Sequence, residues 1–278
     1  MTQKIRMLLY SDGSEVGRLA LALGQRIAKA MADTVDILSI ASIPDEEDVS
    51  IQAVKAIADE LRANDISVAI YRRPGAMGEE LLEQTDATDY DLIVISSRGR
   101  RGIKRLLAGS RACTILGTVA TSVLVAKGRE RRGISHILAC SAGGPASKET
   151  IRFAARVAHA LGASVTLLHV MSQVALEESA QGADLEAEAE ELMEREAREG
   201  IHLEDMLEIL HNERVEAQAL VRHGLVVEEI VAEAKKGHFD MLVIGAHTTP
   251  NIGGLLFSDL SQQIVLAANR PVLIVHQD

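Results

Sequence analysis

A segment rich in glycine, serine and arginine is the part of the chain best suited to binding an anion. It reads SSRGRRGIKRLLAGSR over residues 96–111 and carries six arginines and lysines without a single acidic residue. Glycines let backbone N–H groups approach a phosphate closely, and serine hydroxyls add further donors. Positive charge alone is equally typical of a basic surface loop. The coincidence of the charge with the glycines favours phosphate binding.

Two other short segments lie where α/β proteins usually bind their ligands. Tyr10-Ser11-Asp12-Gly13-Ser14 follows the first predicted strand, and Ile40 ends the second. In open α/β sheets, ligands bind beyond the carboxyl ends of the strands and near helix N-termini. Asp12 could accept a hydrogen bond from a ribose hydroxyl or from an adenine amine. The three segments together are typical of a nucleotide site.

The elements that must position these segments alternate along the chain. Short runs rich in Val, Ile and Leu predict strands at 5–10, 34–40, 66–71, 91–96 and 122–126, and again at 135–140, 164–170, 215–221, 240–244 and 271–275. Helical spacing of Ala, Leu and Ile predicts helices at 14–31, 50–64, 77–88 and 107–120 in the first set. Strand–helix alternation favours a parallel sheet with right-handed crossovers and helices on both faces.

The chain is a doubled unit. MLLYSDG (7–13) and VDILSIA (35–41) match ILACSAG and VTLLHVM at an offset of 130, whereas YDLIVIS (90–96) and SVLVAK match FDMLVIG and PVLIVH at an offset of 149. The matches predict two domains, 1–130 and 131–278, with 19 extra residues in the second. We place this insertion within 184–212 and interpret it as a long, solvated amphipathic helix; an acidic docking surface is the alternative.

Composition and charge exclude several classes of protein. The 278 residues are 47% hydrophobic and 2% aromatic with a net charge of −11, which argues against a general nucleic-acid binder. The charge is uneven, since residues 1–132 carry 19 basic and 18 acidic residues and the remainder carries 10 and 22. No apolar run is long enough for a membrane span or a signal peptide, so we expect a cytoplasmic protein.

Several weaker signals have an ordinary structural interpretation. The turn SAGGPAS (141–147) is typical of a tight turn in which Ser or Thr caps the next helix, with an anion pocket as the alternative. None of the nine histidines has metal-ligand spacing, and we expect them on the surface. Cys113 and Cys140 are interpreted as small buried residues. The last strand of each copy is a candidate edge strand, and Pro271 suits an edge.

These motifs and their order resemble the universal stress protein family in a tandem-domain form. That family carries an ATP-binding signature, G-x2-G-x9-G-[ST], which reads here Ser96-x2-Gly99-x9-Gly109-Ser110, so that only the first glycine departs. In the second copy the same positions read Gly245, Thr248, Ser258 and Asp259, and the counterpart of Asp12 is Ala142. The resemblance implies that the second copy does not hold ATP in the usual way.

The resemblance implies a fold, a ligand and a role for each site residue. The fold is two five-stranded, mostly parallel Rossmann-like sheets of the adenine nucleotide alpha-hydrolase-like type, joined through their last strands as an intramolecular pseudo-dimer that can dimerise further. ATP, with or without Mg²⁺, would meet Ile40 at adenine and Ser11 and Asp12 near adenine and ribose. The phosphates would meet Ser96, Arg98, Gly99, Gly109, Ser110 and Arg111.

Three functions are compatible with these observations. The first is a nucleotide-responsive stress regulator. The second is a scaffold that binds a protein partner without nucleotide, through its acidic second half. The third is an ATP-consuming enzyme, for which no general base or pair of metal-binding carboxylates is visible in the sequence, so that at most a weak ATPase is expected. We expect neither nucleic acid nor a membrane as a partner.

Overall fold

The strands of both halves form one ten-stranded sheet in the computed structural model, which describes residues 4–11, 15–40, 49–74, 77–96, 121–127, 133–144, 146–171, 189–194, 198–246 and 259–276. The strand order is β3-β2-β1-β4-β5-β10-β9-β6-β7-β8. The strands are β1 (Ile5–Ser11), β2 (Ala32–Ile40), β3 (Ser67–Arg73), β4 (Leu92–Ser96), β5 (Ser122–Ala126), β6 (His136–Ser141), β7 (Ser164–Met171), β8 (Ala217–His223), β9 (Met241–Gly245) and β10 (Val272–Val275).

Helices cover both faces of this sheet. They are α1 (Glu15–Met31), α2 (Val49–Arg62), α3 (Met77–Ala87), α4 (Ser147–Leu161), α5 (Ala189–Glu194), α6 (Arg198–Asn212), α7 (Val226–Lys236) and α8 (Asp259–Ala267). The strands β4 and β5 are buried along their whole length, as expected for apolar strands covered on two sides. The predicted α/β class is confirmed, and every predicted strand lies within two residues of an observed one. The predicted helix at 107–120 lies outside the described residues.

The two halves join through their last strands. β5 and β10 pair antiparallel, with Leu124 opposite Leu273 and Val125 opposite Val272, whereas all other described strand pairs are parallel. The expected pseudo-dimer is therefore present within this chain. The prediction that these are edge strands is wrong for the sheet as a whole, because each last strand covers the other. Pro271 precedes β10, and its carbonyl accepts a hydrogen bond from the Leu242 N–H at 2.9 Å.

Side chains on both sheet faces continue across the junction. One buried cluster joins Met7 and Leu124 of the first half to Ile137 and Leu273 of the second. Lys127, just after β5, donates to the carbonyl oxygens of Val265 and, at 2.7 Å, Ala268 at the end of α8. A cation at a helix C-terminus satisfies carbonyls that have no partner within the helix. The first half therefore stabilises the last helix of the second.

The insertion lies before α6, not within it. Asp65 after α2 and Arg214 after α6 share a left-handed backbone, with φ of 59° and 58°, and their numbers differ by 149. The helix α6 is therefore the counterpart of α2, and the 19 extra residues belong between β7 and α6. The predicted amphipathic helix is present at 198–212, but it is solvated on one face only, because α6 buries Leu203, Met206 and Leu210 against the sheet.

An aspartate fastens the start of the first strand in each half. Asp91, beside β4, accepts from the Arg6 N–H at 2.8 Å. Its counterpart Asp240 accepts from the Ser135 N–H, the Ser135 hydroxyl and the His136 N–H at 2.9, 2.9 and 3.1 Å. Burial by itself would raise the pKa of the Asp240 carboxyl, but these hydrogen bonds lower the pKa below its ordinary value.

We expect Asp240→Asn to lower the free energy of unfolding at pH 7 by about 1 kcal/mol, since hydrogen bonds to a partly exposed carboxylate lose their charge. A depressed native pKa stabilises the fold above the unfolded pKa of about 3.9, and this stabilisation is lost as the pH falls through the native value. The difference between wild type and variant in urea unfolding should therefore be smaller at about pH 2 than at pH 7.

The exposed Asp59, which contacts Arg62 one turn away, provides the control. Asp59→Asn should change stability by less than about 0.5 kcal/mol at either pH. A deficit of Asp240→Asn that is the same size at both pH values would contradict the role assigned to the ionised carboxylate.

Candidate functional site

Three predicted site residues end three neighbouring strands of the first half. Ser11 ends β1, Ile40 ends β2 and Ser96 ends β4, and β1 lies between the other two. Ser11 and Ser96 are buried, with 1% and 3% of their surface exposed, and Ile40 is half-buried. Because parallel strands end at the same edge of a sheet, these residues lie together at its carboxyl end. The other predicted residues, Asp12, Arg98, Gly99, Gly109, Ser110 and Arg111, lie outside the described residues.

The second half presents different residues at the same edge. Ser141 ends β6 in the place of Ser11, Val170 replaces Ile40, and Gly245 ends β9 in the place of Ser96. Ala142 follows β6 where the first half has an aspartate, and Asp259 is the first residue of α8. Thr248 and Ser258 lie outside the described residues. The carboxyl end of the second half therefore keeps the strand geometry and the serine at the end of its first strand, but it has lost the aspartate that follows this serine and the serine at the end of β4.

The turn after β6 is tight, but no serine or threonine side chain caps the helix that follows. Gly143 has φ +83°, a backbone that a side chain would strain. The residue before α4 is Ala146, which has no side-chain cap, and the predicted capping is wrong. Instead, Ser147 is buried and its hydroxyl accepts from the Ala142 N–H at 3.2 Å. This serine closes the turn from inside the first helical turn.

Two histidines meet above this turn, and for these two the prediction of a surface position is wrong, whereas His136, His159, His211 and His238 are exposed as predicted. His169 of β7 is 8% exposed, and its Nδ1 is 3.0 Å from the Ser141 carbonyl oxygen, to which it donates. His202 of α6 is half-buried, and its Nε2 lies 2.5 Å from the Ser141 hydroxyl. The two ring centroids are 6.2 Å apart. In the first half, Ser39 corresponds to His169 at the offset of 130, and Ala53 corresponds to His202 at the offset of 149.

Burial and charge both act on His202. Burial and the neighbouring His169 lower the pKa of His202, while Asp205 raises it less strongly. The imidazole is therefore neutral at pH 7.

The described residues contain no group of three or more His, Cys, Asp or Glu side chains that could hold a metal ion.

Cys140 is half-buried against an apolar cluster, so its interpretation as a buried residue holds only in part. Burial raises the pKa of its thiol to about 12, so the thiol is protonated and a poor nucleophile at neutral pH. Cys113 lies outside the described residues.

A buried polar network under the first site escapes sequence reasoning. Asp36 of β2 is 1% exposed; it accepts from the Tyr90 hydroxyl at 2.6 Å and from the Arg6 guanidinium at 2.9 Å. Gln84 of α3 donates to the Tyr90 oxygen at 2.8 Å and accepts from Arg73 at 3.2 Å. Burial and the adjacent Asp36 raise the pKa of Tyr90, so its hydroxyl stays protonated. The visible signal is Asp36 itself, a charged residue between the apolar residues Val35 and Ile37.

The second half has a simpler arrangement at the same place. Thr166 occupies the position of Asp36 and Phe239 that of Tyr90, so the second half has neither the buried carboxylate nor the tyrosine hydroxyl that donates to it. Glu233 takes the position of Gln84 and pairs with Arg222 at 2.9 Å. The network that links β1, β2 and α3 therefore belongs to the first half alone.

Comparison with known proteins agrees with a tandem α/β protein whose candidate site lies at the carboxyl edge of the sheet. The model of the universal stress protein family matches twice, at residues 6–127 and 133–276. The chain belongs to the universal stress protein family, with two tandem domains. No curated protein matches the chain. No helix in the described ranges is long and apolar enough to cross a membrane.

Solved structures share the whole architecture at low sequence identity. A universal stress protein from Archaeoglobus fulgidus DSM 4304 is 17% identical, with a TM-score of 0.64 over 99% of this chain and 97% of its own. A functionally unknown protein from Pseudomonas aeruginosa PAO1 is also 17% identical, with a TM-score of 0.71 over 98% and 92%. The cytoplasmic domain of a prokaryotic cation chloride cotransporter is 12% identical, with a TM-score of 0.58 over 98% and 95%. At these identities the likeness shows the fold alone.

We expect Tyr90→Phe to lower the free energy of unfolding by about 1–3 kcal/mol, because the change removes one of the hydrogen bonds of the buried Asp36 carboxylate and leaves the buried Gln84 amide nitrogen without the oxygen to which it donates. The matched control is Tyr71→Phe on β3, a partly exposed tyrosine outside this network, which should cost less than about 0.5 kcal/mol. Chemical unfolding measures both values. Equal effects of the two changes would show that the network contributes nothing beyond ring packing.

Proposed function

We propose that the first domain, residues 1–130, binds ATP and that the protein acts as a nucleotide-responsive stress regulator. The observation that carries the proposal is the meeting of Ser11, Ile40 and Ser96 at three adjacent strand ends. This meeting occurs in the half whose sequence keeps Gly99, Gly109 and Ser110 of the family signature. The second domain, residues 131–278, has the same strand ends without those residue types.

The residues that end the three strands suit different parts of the nucleotide. The half-buried Ile40 offers an aliphatic wall and a main-chain edge for adenine, which suits a chain with 2% aromatic residues. Ser11 and Ser96 stand beside it on β1 and β4, and Asp12 follows Ser11 directly. The signature segment with Arg98, Gly99, Gly109, Ser110 and Arg111 would supply backbone N–H groups and cations to the phosphates, with or without Mg²⁺.

The buried network would hold this site rigid. Asp36 lies four residues before Ile40 on β2, and Tyr90 lies just before β4, the strand that ends at Ser96. The hydrogen bond between Asp36 and Tyr90 therefore ties together two of the three strands that carry the site. Sites built on rigid elements lose less free energy to ordering when the ligand binds.

A route from the site to the second domain runs through the shared sheet. β4, which ends at Ser96, pairs with β5, and β5 pairs with β10 of the second domain. A change in nucleotide occupancy in the first domain would thus act on a junction that both domains share. A partner protein would sense this change at the junction. The two-domain chain could also form a further homodimer without disturbing this route.

A scaffold that uses no nucleotide is the second candidate. Ser96 in place of the first signature glycine favours it, and so does the acidic second half, in which 22 acidic residues face 10 basic ones. Absence of bound nucleotide, together with a protein partner recovered by pull-down, would support this function instead.

ATP binding is tested by isothermal titration calorimetry on the full chain, together with analysis of nucleotide released from the purified protein. Gly109→Asp should weaken ATP binding at least about tenfold, because a carboxylate beside the phosphates costs several kcal/mol and each 1.4 kcal/mol is a factor of ten. ATP turnover should remain at most weak.

The repeat provides a matched control. Ser258 is the counterpart of Gly109 in the second domain at the offset of 149. Ser258→Asp should leave the heat of ATP binding unchanged, since the second domain does not take part. Absence of binding in wild type, or equal affinities in wild type and Gly109→Asp, would refute the proposed site. A loss in Ser258→Asp alone would move the site to the second domain.

A further inference from the structure

The contact between Ser141 and His202 joins two elements that nothing in the nucleotide proposal uses. Ser141 is 6% exposed at the carboxyl end of β6, and His202 lies in the first half of α6. Their side chains are 2.5 Å apart, the His169 ring stands beside them, and the Lys148–Asp205 ion pair at 2.8 Å links α4 to α6 nearby. The helix α6 thus meets the edge of the sheet through a cluster of polar and titratable groups.

We propose that the Ser141–His202 contact is a proton-sensitive latch that holds α6 on the carboxyl end of the second domain when the imidazole is neutral and weakens when it is protonated. This inference concerns the second domain and does not depend on ATP binding in the first. It gives the protein a response to acidity separate from its response to nucleotide.

The groups that face His202 decide the direction of the response. His169 from β7 and Lys148 from α4 disfavour a positive charge on His202, and so does burial. Asp205 and Glu199 on α6 itself favour the charge, but Asp205 is already paired with Lys148. Protonation of His202 would therefore add a second positive charge to a half-buried cluster in which the one other cation among the described residues, Lys148, is already paired with Asp205.

The sign of the linkage follows from the lowered pKa. A histidine that is harder to protonate in the folded state leaves stability unaffected above its unfolded pKa of about 6.5. As the pH falls below that value, the unfolded or released state binds the proton more readily than the latched state. The latch therefore loses stability between about pH 6.5 and the lower native pKa, and below the native pKa the loss levels off.

The first domain has no equivalent contact. Ser39 and Ala53 stand where the second domain has His169 and His202, and neither side chain titrates. The same helix–strand junction is thus present twice in one chain, once with the histidines and once without. In the second domain α6 also follows the connection that carries the 19 extra residues. Weakening of the Ser141–His202 contact would therefore loosen the helix to which this connection is attached.

Hydrogen exchange measured on the full chain at pH 7.5 and pH 5.5, corrected for intrinsic exchange rates, tests the latch. The amides of Leu203 and Met206 in α6 should lose protection at least about threefold at pH 5.5 relative to the amides of β1. In His202→Gln, whose amide can still hydrogen-bond to Ser141 but does not titrate, this loss should disappear. His211→Gln, at the exposed end of the same helix, should behave like wild type.

Two results would overturn the latch. One is α6 protection in wild type that does not change between the two pH values, and the other is a loss in His202→Gln as large as in wild type. If His202→Gln does not fold, NMR titration of the wild-type imidazoles decides the question. A His202 midpoint at or above about 6.5, the value of a free histidine, would also refute the latch.

Discussion

The antiparallel pairing of β5 with β10 is the interaction on which the rest of the structure depends. Both strands are buried over their whole length, so neither could leave its outer edge unpaired without exposing backbone donors and an apolar surface to water. Pairing them closes both edges at once and fuses the two sheets into one. The outer edges of the fused sheet then fall to β3 and β8, whose residues are largely half-exposed and polar in part.

This junction also fixes where chemistry can occur. Because the strands within each half are parallel, the carboxyl ends of all its strands lie at the same edge of the sheet. Each half therefore has its own carboxyl edge. Duplication therefore supplies two equivalent carboxyl edges, and selection can keep the residues of one edge while changing those of the other. The carboxyl edge of the first half combines the buried Ser11 and Ser96 with the hydrogen-bonded network around Asp36. The second has the histidines His169 and His202 over the same strand ends.

The sequence predicts the fold well because strand–helix alternation and internal repetition are local signals. Short apolar runs such as LIVIS and SVLVA are typical of buried strands when they alternate with helices, and an offset of 149 maps each onto its partner in the second half. The glutamate-rich composition of 184–212 locates the insertion only in part, because the left-handed residues Asp65 and Arg214 show that the two copies are already in register at the ends of α2 and α6. Of the candidate site, the sequence predicts Ser11, Ile40 and Ser96, which the fold brings to the ends of three neighbouring strands.

Long-range side-chain contacts escape the sequence for a physical reason. Tyr90 and Asp36 are 54 positions apart and Ser141 and His202 are 61 apart, so only the folded sheet brings them within hydrogen-bond distance. A histidine on an amphipathic helix looks like a surface residue until the helix is docked with that position facing a strand end. The Asp36–Tyr90 cluster occurs only in the first domain and the Ser141–His202 cluster only in the second, since the corresponding positions of the other domain carry different residues. The comparison of the two halves thus separates what the fold requires, which both halves share, from what each site adds.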